Sequence, residues 1–219
     1  MLFRSGAQVL PLGSDEGLSL YGTDVTEFTW VRGQYTNHGG GRGGGFGRRR
    51  GGGWWDTDYP DADQNFLRGV QRYTYVDTNP RNHHNIQLTD PALYENIFLY
   101  MNWKRVPIGS SYSGPNFSPE EIEALREFMF RGGFVLVDDF WGQQQWNNFY
   151  AAFSQVFPDR EIIELAPDHE IFHVYYDIDG PQMIPALYRS DEYGEQGIHF
   201  ATNHAILDEN GRIMVLINW

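Results

Sequence analysis

Cysteine is missing altogether from this chain of 219 residues. That excludes disulfides, thiolate metal ligands and a cysteine nucleophile, while leaving the compartment open. Long apolar runs are missing too. None approaches the roughly 18–20 residues of a membrane helix, so no membrane span is expected in this chain. Positive charge is scarce, with 16 Lys and Arg against 29 Asp and Glu, a formal net charge of −13. Such a balance repels phosphate and argues against nucleic acid or anionic membrane as general partners. Met1–Ser5 lacks a long apolar segment, so an export signal is expected to be absent or already removed.

What is present suits one sizeable core. Hydrophobic residues make up 41% of the chain and aromatics 16%, enough for a single α/β domain over 27–219 behind a polar arm at 1–26. The aromatic excess places some rings on the surface, in a groove or at a subunit contact, so a homo-oligomer or self-assembling structural protein is one expectation.

The most informative stretch runs from Ser118 to Gly142. Ser118 reads as an N-cap, Pro119 as the first helical residue, and Glu121 as the partner that closes a capping box. Ile122, Leu125, Phe128 and Met129 share one helical face, and Gly132-Gly133 stops the helix. Phe134–Val137 is then an unbroken apolar run, as expected of a parallel strand covered on both faces. Asp138 and Asp139 follow at its carboxyl end, the edge of an open α/β sheet where ligands gather.

Around this unit, Glu27–Tyr35 alternates as a first strand, with Phe28, Trp30 and Arg32 on one side. Residues 39–53 pack glycines around Arg42, Arg48, Arg49 and Arg50, a composition expected to stay mobile and read as an insertion, not an RNA-binding segment. Asp61 is expected to cap a helix carrying Phe66, Leu67, Val70 and Tyr73, with Gln64 closing the box. Asp56, Asp58, Asp61 and Asp63 lack the glycine and terminal glutamate of a calcium loop, so no metal is expected. His83 and His84 read as solvated loop residues. Ile97–Met101 is expected to be a central strand, and Gln143–Phe157 a core helix with Trp146, Phe149, Tyr150, Phe153, Val156 and Phe157 inward. Glu161–Leu165 reads as a strand with His169 after it. If that strand is parallel, His169 comes near the same carboxyl edge as Asp139. Asn210-Gly211 between two β-prone runs predicts a C-terminal β-hairpin.

Taken in order, Trp55–Asp63 (WDTDYPDAD), Leu125–Gly142 with its Gly-Gly-Phe and Asp-Asp, His169-Glu170-Ile171-Phe172 and Asn210-Gly211-Arg212 resemble a bacterial family known as domain of unknown function 4159. The resemblance implies the fold of class I glutamine amidotransferases and of trehalose-utilisation-protein-like domains: a three-layer, flavodoxin-like, mostly parallel sheet flanked by helices. It also implies a periplasmic or extracellular setting, since family members are often exported or tethered. The nucleophilic cysteine of that fold would sit after the strand Phe134–Val137, where this chain has Asp138, Asp139 and Phe140. The expected function is therefore an amidotransferase-like domain without the thiol, binding a small ligand or a protein partner. Asp58, Asp139, Trp141 and His169 are the candidate ligand contacts, and no cofactor is expected. The alternative is a hydrolase using Asp138 or Asp139 with His169, with or without a metal.

Overall fold

A computed structural model describes residues 27–35, 54–103, 116–183 and 200–219. The N-terminal arm, the glycine–arginine stretch 39–53, residues 104–115 and residues 184–199 lie outside the described part.

Seven strands form one sheet in the order β2-β1-β3-β4-β7-β6-β5. They are β1 (Trp30–Gln34), β2 (His83–Gln87), β3 (Phe98–Asn102), β4 (Phe134–Asp138), β5 (Ile163–Glu164), β6 (Asn203–Leu207) and β7 (Ile213–Asn218). From β2 through β7 all neighbours run parallel, while β6 pairs antiparallel with both β7 and β5. The C-terminal hairpin is thus as expected. Gly211 takes the left-handed conformation at φ 83°, and Asp208 Oδ1 accepts from the backbone of Asn210 and Arg212.

Period-two alternation divides the strands between two layers. Val31, Leu99, Met101, Val135 and Val137 point to the face covered by α2 (Pro119–Phe130) and α3 (Gly142–Val156), whose Leu125, Phe128, Met129, Phe149 and Phe153 complete the main core. Trp30, Phe98 and Tyr100 point the other way, onto Leu67 of α1 (Asp61–Tyr73). The sheet therefore has helices on both sides, a three-layer α/β arrangement. Beyond β4 that second face is covered by Phe172, Ile171 and Ile178, which pack on Ala205 and Leu216. β4 is accordingly sealed at Val135 and Val137 but only half-buried at Phe134 and Leu136. The expectation of full cover on both faces fails because the cover changes hands here, from α1 to the segment around Phe172.

The local signals of α2 are realised. Ser118 and Glu121 form the reciprocal capping box, at 3.2 Å and 2.8 Å. Gly132 stands at φ 103°, and a Cβ on Gly133 would lie 2.5 Å from the Phe128 ring.

Four expectations need correction. The N-cap of α1 is Pro60, not Asp61, and no side chain caps it; Gln64 bonds sideways to Arg68 and His83 instead. Within α1 only Asp63 and Leu67 are buried, with Phe66 and Tyr73 exposed. His83 and His84 belong to edge strand β2, not to a loop, because backbone pairing with β1 outweighs a polar sequence. Tyr150 is exposed on α3.

Candidate functional site

The strand register aligns polar residues at the carboxyl edge on the α1 side of the sheet. Asn102 ends β3 and is paired with Asp138, which ends β4. Asn218, which ends β7, hydrogen-bonds Asp138 through its side chain, and Asn203 opening β6 is paired with Asn218 and donates to its Oδ1 at 2.7 Å. β3, β4 and β7 are apolar up to this row and then present an amide or a carboxylate. Two residues before Asn102, on the same face of β3, lies Tyr100, with the guanidinium of Arg32 4.6 Å from its ring centroid.

After Asp138 the chain turns sharply. Asp139 adopts φ 65°, a conformation aspartate and asparagine tolerate better than other non-glycine residues. Its Oδ2 accepts from Asn102 Nδ2 at 2.9 Å. Phe140, Trp141 and Gly142 at φ 76° lead into α3, where Gln145 Oε1 accepts from the Trp141 backbone at 2.7 Å.

A second wall comes from residues 54–60, which open with the short 3-10 helix Trp54–Asp56. Arg32 anchors it. This arginine is fully buried with Asp63, to which its Nε donates at 3.0 Å and 3.2 Å, and its Nη1 donates to the carbonyls of Trp55 and Thr57 at 3.0 Å each. Between those anchored carbonyls and α1, Asp58 takes φ 55°.

These walls enclose a cavity of about 520 Å³, within the range of small-ligand pockets, roughly 300–1,000 Å³. Its lining includes Thr57, Asp58, Ala62, Tyr100, Asn102, Asp138, Asp139, Phe140, Trp141, Phe172, Ile178, Asn203, Asn218 and Trp219. It fills the gap where α1 gives way to the Phe172 segment. Asn102 is 2% exposed, and its Oδ1 has no hydrogen-bond partner among the described residues. Burial holds Asp138 above the usual carboxylate range, against the lowering effect of the Asp139 N–H, Asn218 and Arg32. Burial, then the Asp138 charge, pushes the Tyr100 phenol up as well.

Of the residues singled out from sequence, the cavity brings together Asp58, Asp138, Asp139 and Trp141. His169 is not in its lining. It caps the short helix Glu170–Phe172, with Nδ1 accepting from the Ile171 backbone at 3.2 Å. The strand before it is antiparallel, and β7 and β6 separate it from β4, so the parallel pairing that would bring His169 toward Asp139 does not occur. His173 is held by Asp177, whose hydrogen bond raises its pKa. His204 stacks on Trp146 at 4.4 Å and is lowered by burial, and His199 lies outside the described residues. No group of three or more His, Asp or Glu is placed to hold a metal among the described residues. Sequence reasoning missed Asn102, Asn203 and Asn218. The available signal was the recurrence of an Asn or Asp at the end of each apolar run: IFLYM-Asn, FVLV-Asp and MVLI-Asn.

Fold and site together define a class: a three-layer α/β domain with a polar, carboxylate-bearing cavity at the carboxyl edge of its parallel strands. Residues 46–219 match the family model described as Domain of unknown function (DUF4159), and the chain belongs to that family. A comparison with curated proteins gives no match.

Proposed function

We propose that this chain is a class I glutamine amidotransferase-like domain without a thiol nucleophile, and that it binds a small polar ligand in the strand-edge cavity. The parallel part of the sheet runs 2-1-3-4-7, the flavodoxin-type doubly wound order, whose ligands sit outside the carboxyl ends of the strands. The sharp turn at Asp139 between β4 and α3 occupies the place where such a fold would carry its nucleophile. The observation that carries the reading is Asn102 Oδ1, buried in the cavity with no partner among the described residues. Buried amide oxygens are nearly always hydrogen-bonded, and the residue that carries this one belongs to the cavity lining. A concave site of this size also suits a small molecule better than a protein surface, which needs a broad patch.

A thermal-shift screen of small polar compounds tests this. A hit at one hundred times its Kd adds about 2.7 kcal/mol, which raises Tm by about 5–11 °C at roughly 2–4 °C per kcal/mol for a domain of this size. Ala62→Trp, placed in the cavity wall, should abolish those shifts. Hits that survive Ala62→Trp would move the site elsewhere.

A second reading, a hydrolase, is favoured by one feature. Asp138 is pushed toward its protonated form beside Asp139, and neighbouring carboxylates in unlike surroundings are how acid and base roles are divided. On this reading Asp139→Asn, which suits the left-handed backbone, abolishes turnover of a hydrolysable substrate without lowering Tm.

A further inference from the structure

The hairpin turn between β6 and β7 is built on one carboxylate. Asp208 Oδ1 accepts from the backbone N–H groups of Asn210 and Arg212 at 2.9 Å each, and Oδ2 accepts from Arg212 Nε at 3.0 Å. The main chain closes the same loop. Gly211 N donates to the Asp208 carbonyl at 3.2 Å, and Asp208 N donates to the Arg212 carbonyl at 2.9 Å. Arg212 then reaches across to the end of α2, where Nη2 donates to the Met129 carbonyl at 2.9 Å and Nη1 to the Gly133 carbonyl at 3.1 Å. The turn is thus tied to the carbonyl end of a helix, where a cation also meets the favourable end of the dipole.

At the tip stands Asn210-Gly211, the one Asn-Gly pair in the chain. Asparagine followed by glycine carries its own reaction. The glycine nitrogen loses its proton and attacks the asparagine Cγ, the new N–C bond closes a succinimide ring, and the side-chain nitrogen leaves as ammonia. Water then opens the ring at either carbonyl to give aspartate or isoaspartate. Nothing is oxidised or reduced, and water is the co-reactant. Glycine hinders the attack least, having no side chain. Asn210 and Gly211 are both exposed, and a Cβ on Gly211 would meet nothing within 4 Å, so the reacting atoms have room. The turn holds the reaction back. The attacking nitrogen is the one whose N–H is given to the Asp208 carbonyl, and that bond must break before the proton can leave.

We propose that Asn210-Gly211 is a latent site of spontaneous modification kept closed by Asp208, so that Asn210 converts to aspartate and isoaspartate only in molecules whose turn has opened. When opening and closing are fast, the rate follows the opened fraction. The isoaspartyl product lengthens the main chain by a methylene inside the turn and sets a new carboxylate beside Asp208 and Glu209, which loosens the hold of Arg212 on α2. The test incubates the folded full chain in mildly alkaline buffer beside a peptide of residues 206–214. Mass spectrometry follows both, with chromatography separating the isoaspartyl form. The peptide should convert, and the folded chain should do so at least about tenfold more slowly. The Gly211 N–H should be protected from hydrogen exchange in the folded chain. Asp208→Ala, shown by its melt to fold, should convert about tenfold faster than the parent, and its Gly211 N–H should exchange faster in step. Should that variant fail to fold, the parent's conversion and exchange decide. A folded parent that converts as fast as the peptide overturns the proposal. So does a peptide that does not convert, an unprotected Gly211 N–H, or a folded Asp208→Ala variant as slow as the parent.

Discussion

At Asp138 two demands meet, because the carboxylate closes an apolar strand and also opens onto the cavity. Burial raises its pKa above the ordinary 3.8, so the folded protein holds the proton more tightly than the unfolded chain does. The stability linked to this group is complete below the ordinary carboxylate value and is lost as pH rises through the raised one. Asp138→Asn should therefore melt higher than the parent at neutral pH, with an advantage that shrinks on acidification. A difference that stays flat across pH would show that the carboxylate is well solvated. His204 carries the opposite sign. Burial against Trp146 depresses its pKa below 6.5, so its contribution is present above that value and lost as pH falls through the depressed one. His204→Phe should flatten the decline of Tm on acidification. A residual slope is expected from His84, which burial and His83 also lower. Arg32 and Asp63 form a fully buried pair, and Arg32→Met strands the Asp63 charge at a cost of about 3–5 kcal/mol. Adding Asp63→Leu should recover much of that loss in chemical denaturation.

Among the elements, α2 and its turn into β4 were the most legible, because every signal is local: a cap three residues from its partner, an apolar face at helical spacing, two glycines at the stop. The two glycines act differently. Gly132 needs its positive φ but has open space around it, whereas Gly133 needs room beside Phe128. Gly132→Ala should cost about 1–2 kcal/mol through backbone strain, and Gly133→Ala about 1–3 kcal/mol through overpacking. Only the Gly133 loss should be relieved by Phe128→Leu, measured by urea unfolding; relief of both would show that the turn is set by packing alone. Elements whose existence depends on distant partners were not readable. β2 spells HHNIQ and is a strand only because β1 offers its edge, and β5 is two residues of an antiparallel edge. The position of His169 was misjudged for that reason, since strand direction depends on topology and not on the strand's own residues.

For the molecule as a whole, the alternation of each strand assigns its residues to one helical layer or the other. The candidate site arises where the second layer is shared between α1 and the segment around Phe172. Asp58, Asp138, Asp139 and Trp141 were visible as polar or aromatic residues at strand ends and turns. Asn102, Asn203 and Asn218 were not, because an amide closing a strand looks like an ordinary loop start until the register aligns several of them in one row. The central claim is that this row is the floor of a ligand site. Its most direct test is to follow the side-chain amide NMR signals of Asn102, Asn203 and Asn218 and the indole signal of Trp141 during titration with a compound found by the thermal-shift screen. The account predicts that Asn102, Asn218 and Trp141 shift together on a single binding curve, and that Ala62→Trp removes the response. Saturable binding that leaves those signals unmoved, or that shifts His169, Tyr175 and Tyr176 instead, would contradict it.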